Sequence, residues 1–283
     1  MKNNKLCEIP RDSEGLWWNF IPEVGANLNV NNPDGKSHEG WGARNLPGVM
    51  SCICGAHPLT DHPVIIRNVY DLNGVSIPAK TLVSGMPRSG STVVWQTIRL
   101  LTKGSVIKTH GFNDSCPIFF KYENVICTVR HPYDVWYSSI RMREGLRPTG
   151  EWMNHTINEL RKFIKLKNLQ ESLSCYPHMK VHFLKYEDWW DDERGRLAEL
   201  ANMLGVNISK EIADDIITST SRDVNFSRSQ EDSLDQTLES GILSHHVGER
   251  RGAPGQGSAL PPSLKRQIYD QHKDIFRIFN YEA

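Results

Sequence analysis

Apolar residues along this chain fall into short continuous runs separated by longer stretches at helical spacing. Lys80 to Ser84, Gly104 to His110, Asn124 to Val129 and Lys180 to Leu184 are brief and rich in β-branched and aliphatic residues, which predicts strands. Thr92 to Leu101, Tyr133 to Arg143, Glu151 to Leu173 (Trp152, Ile157, Leu160, Ile164), Trp189 to Leu204 and Pro262 to Phe279 repeat apolar residues at helical intervals. This alternation predicts a three-layer α/β domain over residues 80–283, with a central, mainly parallel sheet flanked by helices. Residues 1–79, rich in Asn, Gly, Pro and His, predict an irregular segment packed on that core, with Ile65 to Leu72 as a short edge strand ahead of the main sheet. Ser221 to Pro262 is rich in Ser, Gly and charge with little periodicity, and predicts a lid.

The first strand runs into Gly85-Met86-Pro87-Arg88-Ser89-Gly90-Ser91-Thr92 and then a helix, which makes the fold P-loop-like. A loop of this kind turns several backbone N–H groups on one anion, and the following helix adds the positive end of its dipole. Gly85 and Gly90 have the spacing of the nucleotide-binding pattern G-x-x-x-x-G-K-[ST], but Ser91 stands where the lysine belongs. The nearest cation is Arg88, inside the loop.

Composition narrows the partners. The 283 residues carry 33 Lys and Arg against 33 Asp and Glu, so net charge suggests neither nucleic acid nor an acidic membrane surface as partner. Anion binding has to be local. No apolar run approaches a membrane span or the core of a signal peptide, so a cytoplasmic protein is expected. Six scattered cysteines in a chain of this size fit reduced thiols. Cys52, Cys54, His57 and His62 are metal-ligand types at a spacing that matches no common zinc pattern, and no metal is expected.

Chemistry in open α/β sheets gathers at the carboxyl ends of the strands. Lys108 and His110 stand there on one face of the second strand, and Arg130 stands at the end of the third. Pro132 opens the helix that follows, and Ser138, about two turns in, is close enough to share one anion with Arg130.

The set MPRSGST at 86–92, KTH at 108–110 and R-x-x-x-D-x-x-x-S from Arg130 through Asp134 to Ser138 resembles the sulfotransferases that use 3′-phosphoadenosine-5′-phosphosulfate (PAPS). Tyr186-Glu187-Asp188 and Arg250-Arg251-Gly252-x-x-Gly255 follow in that family's order. The resemblance implies that Arg88, Ser89, Gly90, Ser91 and Thr92 bind the 5′-phosphosulfate. It further implies that Lys108 and His110 are catalytic with Arg88, and that Arg130, Ser138, Tyr186, Arg250, Arg251 and Gly252 complete the nucleotide site. The residue that stacks on adenine is unassigned, because Val93 occupies the family's tryptophan position and Trp95 lies two residues on.

The implied reaction moves a sulfuryl group from PAPS, leaving the bisphosphate PAP, to a hydroxyl or an amine or amide nitrogen of a small-molecule acceptor. His110 would be the general base, and Lys108 and Arg88 would stabilise the transferring and leaving groups. A P-loop kinase or nucleotide hydrolase is the first alternative, and a non-catalytic nucleotide-binding protein the second. Acceptor identity and oligomeric state are not encoded in any motif.

Overall fold

The computed structural model describes residues 80–86, 88–108, 122–141, 179–230, 247 and 252–283, the backbone of short strands between 44 and 78, and helical positions between 157 and 168. Its centre is a sheet with the order β1-β2-β6-β5-β7-β8. The strands are β1 (Arg44–Leu46), β2 (Val49–Ser51), β5 (Thr81–Gly85), β6 (Val106–Lys108), β7 (Asn124–Val129) and β8 (Lys180–Lys185). From β2 to β8 neighbours run parallel, and only β1 turns back antiparallel on β2. β3 (Asn68–Tyr70) and β4 (Ser76–Pro78) form a separate antiparallel pair.

β5 and β7 lie in the middle because their side chains are apolar on both faces, as a parallel sheet covered by helices demands. Every residue of β5 is buried, and so is β7 after Asn124. Helix α1 (Ser91–Leu101) lies on one face with α4 (Glu193–Leu204) and α5 (Lys210–Thr220), enclosing Val83, Trp95, Ile98, Ile126, Leu197 and Leu200. Helix α2 (Pro132–Ile140) packs against α7 (Pro262–Ile278) through Tyr133, Ile268 and Phe276. The fold is α/β with helices over a mainly parallel sheet, as the periodicity predicts.

Some elements differ from the expectations above. Ile65 to Leu72 yields β3, which pairs with β4 and not with the main sheet, whereas β1 and β2 extend that sheet beside β6. Trp189 to Leu204 divides into α3 (Tyr186–Trp189) and α4, because the Asp192 side chain accepts from Gly195 N at 2.7 Å and starts a new helix. The expected lid begins as helix α6 (Arg222–Gln230), with Ser221 Oγ accepting from Val224 N at 3.3 Å. It ends in a turn and a single 3₁₀ turn (Gln256–Ala259) anchored on α2. Residues 231–246 and 248–251 of that segment lie outside the described residues.

Candidate active site

β5, β6, β7 and β8 are parallel, so their carboxyl ends open on one edge of the sheet. β5 has β6 on one side and β7 on the other, which puts the loop after β5 at a topological switch point, where α/β sheets form ligand crevices. Pairing of Val83 with Lys108 and of Gly85 with Thr128 brings the three strand ends level.

The phosphate loop is braced from within. Ser89 is buried, donates from its hydroxyl to Met86 O, and shares a 2.6 Å hydrogen bond with Thr128 Oγ1. Met86 N donates to Thr128 O at 3.3 Å. Arg88 holds the left-handed conformation at φ 66°, uncommon for a residue with a side chain and frequent at functional sites. Gly90 is also left-handed at φ 79°, and a Cβ there would lie 2.7 Å from the Tyr186 ring and 2.8 Å from Trp189. Only glycine lets the loop close on that aromatic wall. Helix α1 then begins at Ser91 with no side-chain cap on its first amides.

Cations converge on this loop. The Lys108 ammonium donates to Thr92 Oγ1 at 2.5 Å. Burial first, and the neighbouring Arg88 second, pull its pKa down to about 7. Arg88 Nε donates to Ser138 Oγ at 2.9 Å. Burial and the Arg130 charge lower the Arg88 guanidinium to about 10, partly opposed by Tyr186. Ser138 therefore meets Arg130 through Arg88.

Arg130 is 3% exposed. It donates from one terminal nitrogen to Arg88 O at 2.9 Å and from the other to Gly252 O at 2.7 Å and Ala253 O at 3.2 Å. Its guanidinium lies 4.4 Å from the Tyr186 ring, Asp134 stands 3.7 Å away, and its buried Nε has no hydrogen-bond partner among the described residues. The Tyr186 hydroxyl donates to the same Gly252 carbonyl at 3.0 Å. Arg88, Ser89, Gly90, Ser91, Thr92, Lys108, Arg130, Ser138, Tyr186 and Gly252 thus form one continuous site. His110, Arg250, Arg251, Cys52, Cys54, His57 and His62 lie outside the described residues.

Sequence reasoning passed over three supporting residues. Glu187 accepts from His131 N at 2.8 Å and from the Tyr281 hydroxyl at 3.0 Å, tying α3 to the start of α2 and to the C-terminal segment. Arg196, 1% exposed, lies 5.3 Å from the Trp189 ring and donates to Thr220 Oγ1 at 3.2 Å. Asp134, inside a motif already singled out, accepts from Gly255 N and Gly257 N at 2.7 and 2.6 Å. A charged residue on an otherwise buried helix face was the available signal. Trp95, by contrast, is 1% exposed among core residues, so it is no stacking platform.

Comparison with known families decides the class, since the sulfotransferase domain family matches residues 96–277. The chain belongs to the sulfotransferase family. The matched span begins inside α1 and takes in Lys108, Arg130, Ser138, Tyr186 and Arg250 to Gly252, but not the phosphate loop of this sulfotransferase. No curated protein sequence matches it. Among solved structures it is similar to a retinol dehydratase in complex with androsterone and inactive cofactor PAP, at 15% identity over 69% of this chain and 80% of that one, with a TM-score of 0.47. It is also similar to a mouse sulfotransferase complexed with PAP, at 16% identity over 70% of this chain and 84% of that one, with a TM-score of 0.49.

Proposed function

We propose that this sulfotransferase takes the sulfuryl group from PAPS and delivers it to a hydroxyl or an amine or amide nitrogen of a small-molecule acceptor. The observation that carries this reading is the convergence of Lys108 and Arg88 on a glycine-bounded phosphate loop that has Ser91 in place of the usual lysine. The residues fit such a donor on two counts. The first amides of α1 carry no side-chain cap, and the buried Arg130 Nε is a cationic donor with no hydrogen-bond partner among the described residues.

The donor supplies an activated sulfuryl group whose leaving phosphate gains negative charge as transfer proceeds. The uncapped amides at the start of α1 offer hydrogen bonds to the 5′ anion without reorganisation. Lys108 and Arg88 supply positive charge at the loop mouth. Arg88 stays protonated across the working range, while Lys108 is poised near neutrality. Arg130, Ser138, Tyr186, Arg250, Arg251 and Gly252 would hold the 3′-phosphate end. His110, two residues beyond Lys108, would take the acceptor proton.

Adenosine 3′,5′-bisphosphate should bind at least about tenfold more tightly than adenosine 5′-phosphate, because the extra phosphate gains charge-assisted hydrogen bonds. Calorimetric titration of both nucleotides reads this directly, and equal affinities would remove PAPS as the donor. His110→Ala should lower kcat by roughly 10²-fold and leave bisphosphate affinity nearly unchanged, since a general base acts in the transition state. A kcat within about threefold of wild type would take His110 out of that role.

A further inference from the structure

The turn from Gly252 to Ala259 is gripped with complementary polarity by Arg130, just after β7, and by Asp134 in α2. Arg130 holds its carbonyls at Gly252 and Ala253, and Asp134, one helical turn on, holds its amides at Gly255 and Gly257. Asp134 is 2% exposed, and each carboxylate oxygen receives one of the two N–H groups. Gly257 packs so closely on α2 that a Cβ would overlap the backbone of Tyr133. The turn therefore rests directly on the helix.

Asp134 is free for this task for a local reason. An acidic residue at the third position of a helix ordinarily reaches back to the N–H of the capping residue. Here His131 caps α2, and its N–H is already taken by Glu187 Oε1 at 2.8 Å. With that donor satisfied from α3, the Asp134 carboxylate turns across the chain to a segment more than a hundred residues away. Its charge also lies 3.7 Å from Arg130, which fixes the guanidinium between Asp134 and the Tyr186 ring.

We propose that Asp134 is a positioning residue for donor binding: by holding the Gly255 and Gly257 amides it fixes the turn that follows Arg250-Arg251, and with it the anion site around Arg130. This rests on the PAPS reading. Asp134 touches neither nucleotide nor acceptor and acts through the turn and through Arg130.

Asp134→Asn keeps the shape and one acceptor but faces an NH₂ group toward an N–H donor, so one of the two bonds is lost. Amide hydrogen exchange across residues 252–260 of the nucleotide-free variant should quicken by roughly tenfold or more, while β5, β7 and α1 stay protected. The preference for adenosine 3′,5′-bisphosphate over adenosine 5′-phosphate should fall by roughly tenfold, with affinity for the 5′-phosphate alone nearly unchanged. Gly255→Ala probes the turn from its own side, since Gly255 is left-handed at φ 82° with nothing within 4 Å of an added Cβ. It should shift both readouts in the same direction.

Unchanged exchange in Asp134→Asn would overturn the assignment whichever nucleotide is the donor. Faster exchange with an unchanged nucleotide preference would make Asp134 a structural anchor only, and would overturn it too. A wild-type protein without any preference for the bisphosphate would instead fail the donor reading itself.

Discussion

Lys108→Met is expected to lower kcat by roughly 10²–10³-fold, the magnitude seen when one preorganised charge or donor is withdrawn from a developing anion. The ammonium sits on Thr92 Oγ1 at the start of α1, beside Arg88. Its pKa of about 7 also makes the rate pH-dependent. Below that value Lys108 is charged and competent. Above it the charge is lost, so kcat/KM should fall as pH rises through about 7, and Lys108→Arg should remove that alkaline limb.

Stability moves the other way. The lysine binds its proton up to pH 10.5 in the unfolded chain but only to about 7 when folded, so between these values the unfolded state holds more protons and stability rises with pH. Lys108→Met should flatten that rise. Steady-state rates across pH 6 to 9, read beside urea midpoints at the same pH values, check both halves. An unchanged kcat in Lys108→Met would remove Lys108 from the reacting centre.

Arg130→Met should weaken adenosine 3′,5′-bisphosphate binding by roughly 10²-fold or more and destabilise the fold by about 2–4 kcal/mol. Both effects trace to one side chain. Its terminal nitrogens serve carbonyls of Arg88, Gly252 and Ala253, and the variant leaves those acceptors and the Asp134 carboxylate without their cation. Its buried Nε has no hydrogen-bond partner among the described residues and would be the donor offered to the bisphosphate. Arg130→Lys keeps the charge but cannot span both segments, so it should recover part of the affinity and little of the stability. Calorimetry with chemical denaturation separates the two losses, and a large loss of stability with unchanged affinity would make Arg130 a brace.

Much of the scaffold was readable in the chain because its causes are local. A run such as Thr81 to Val83 is buried on both faces and can only be an inner strand, and a Gly-bounded loop followed by apolar residues at helical spacing can only lead into α1. Lys108 and Arg130 were placed at strand ends by counting residues and Tyr186 by the order of the family's motifs, and the parallel register puts all three on one edge. Asp192, by contrast, split a helix that apolar spacing alone made continuous, because one side-chain cap outweighs periodicity at a helix start.

Partners far apart in the chain were decided by tertiary structure alone. Arg88 reaches Ser138 only because β5 and β7 are neighbours, and Arg130 reaches Gly252 only because α2 carries the 252–260 turn. No spacing in the sequence records strand order, and a guanidinium that could pair with a phosphate could equally pair with carbonyls. The placement of β1 and β2 beside β6, and of α6 within the stretch expected to be a lid, has the same origin. Local sequence sets backbone preference and which face is apolar. Which donor meets which acceptor follows from the order in which the strands assemble.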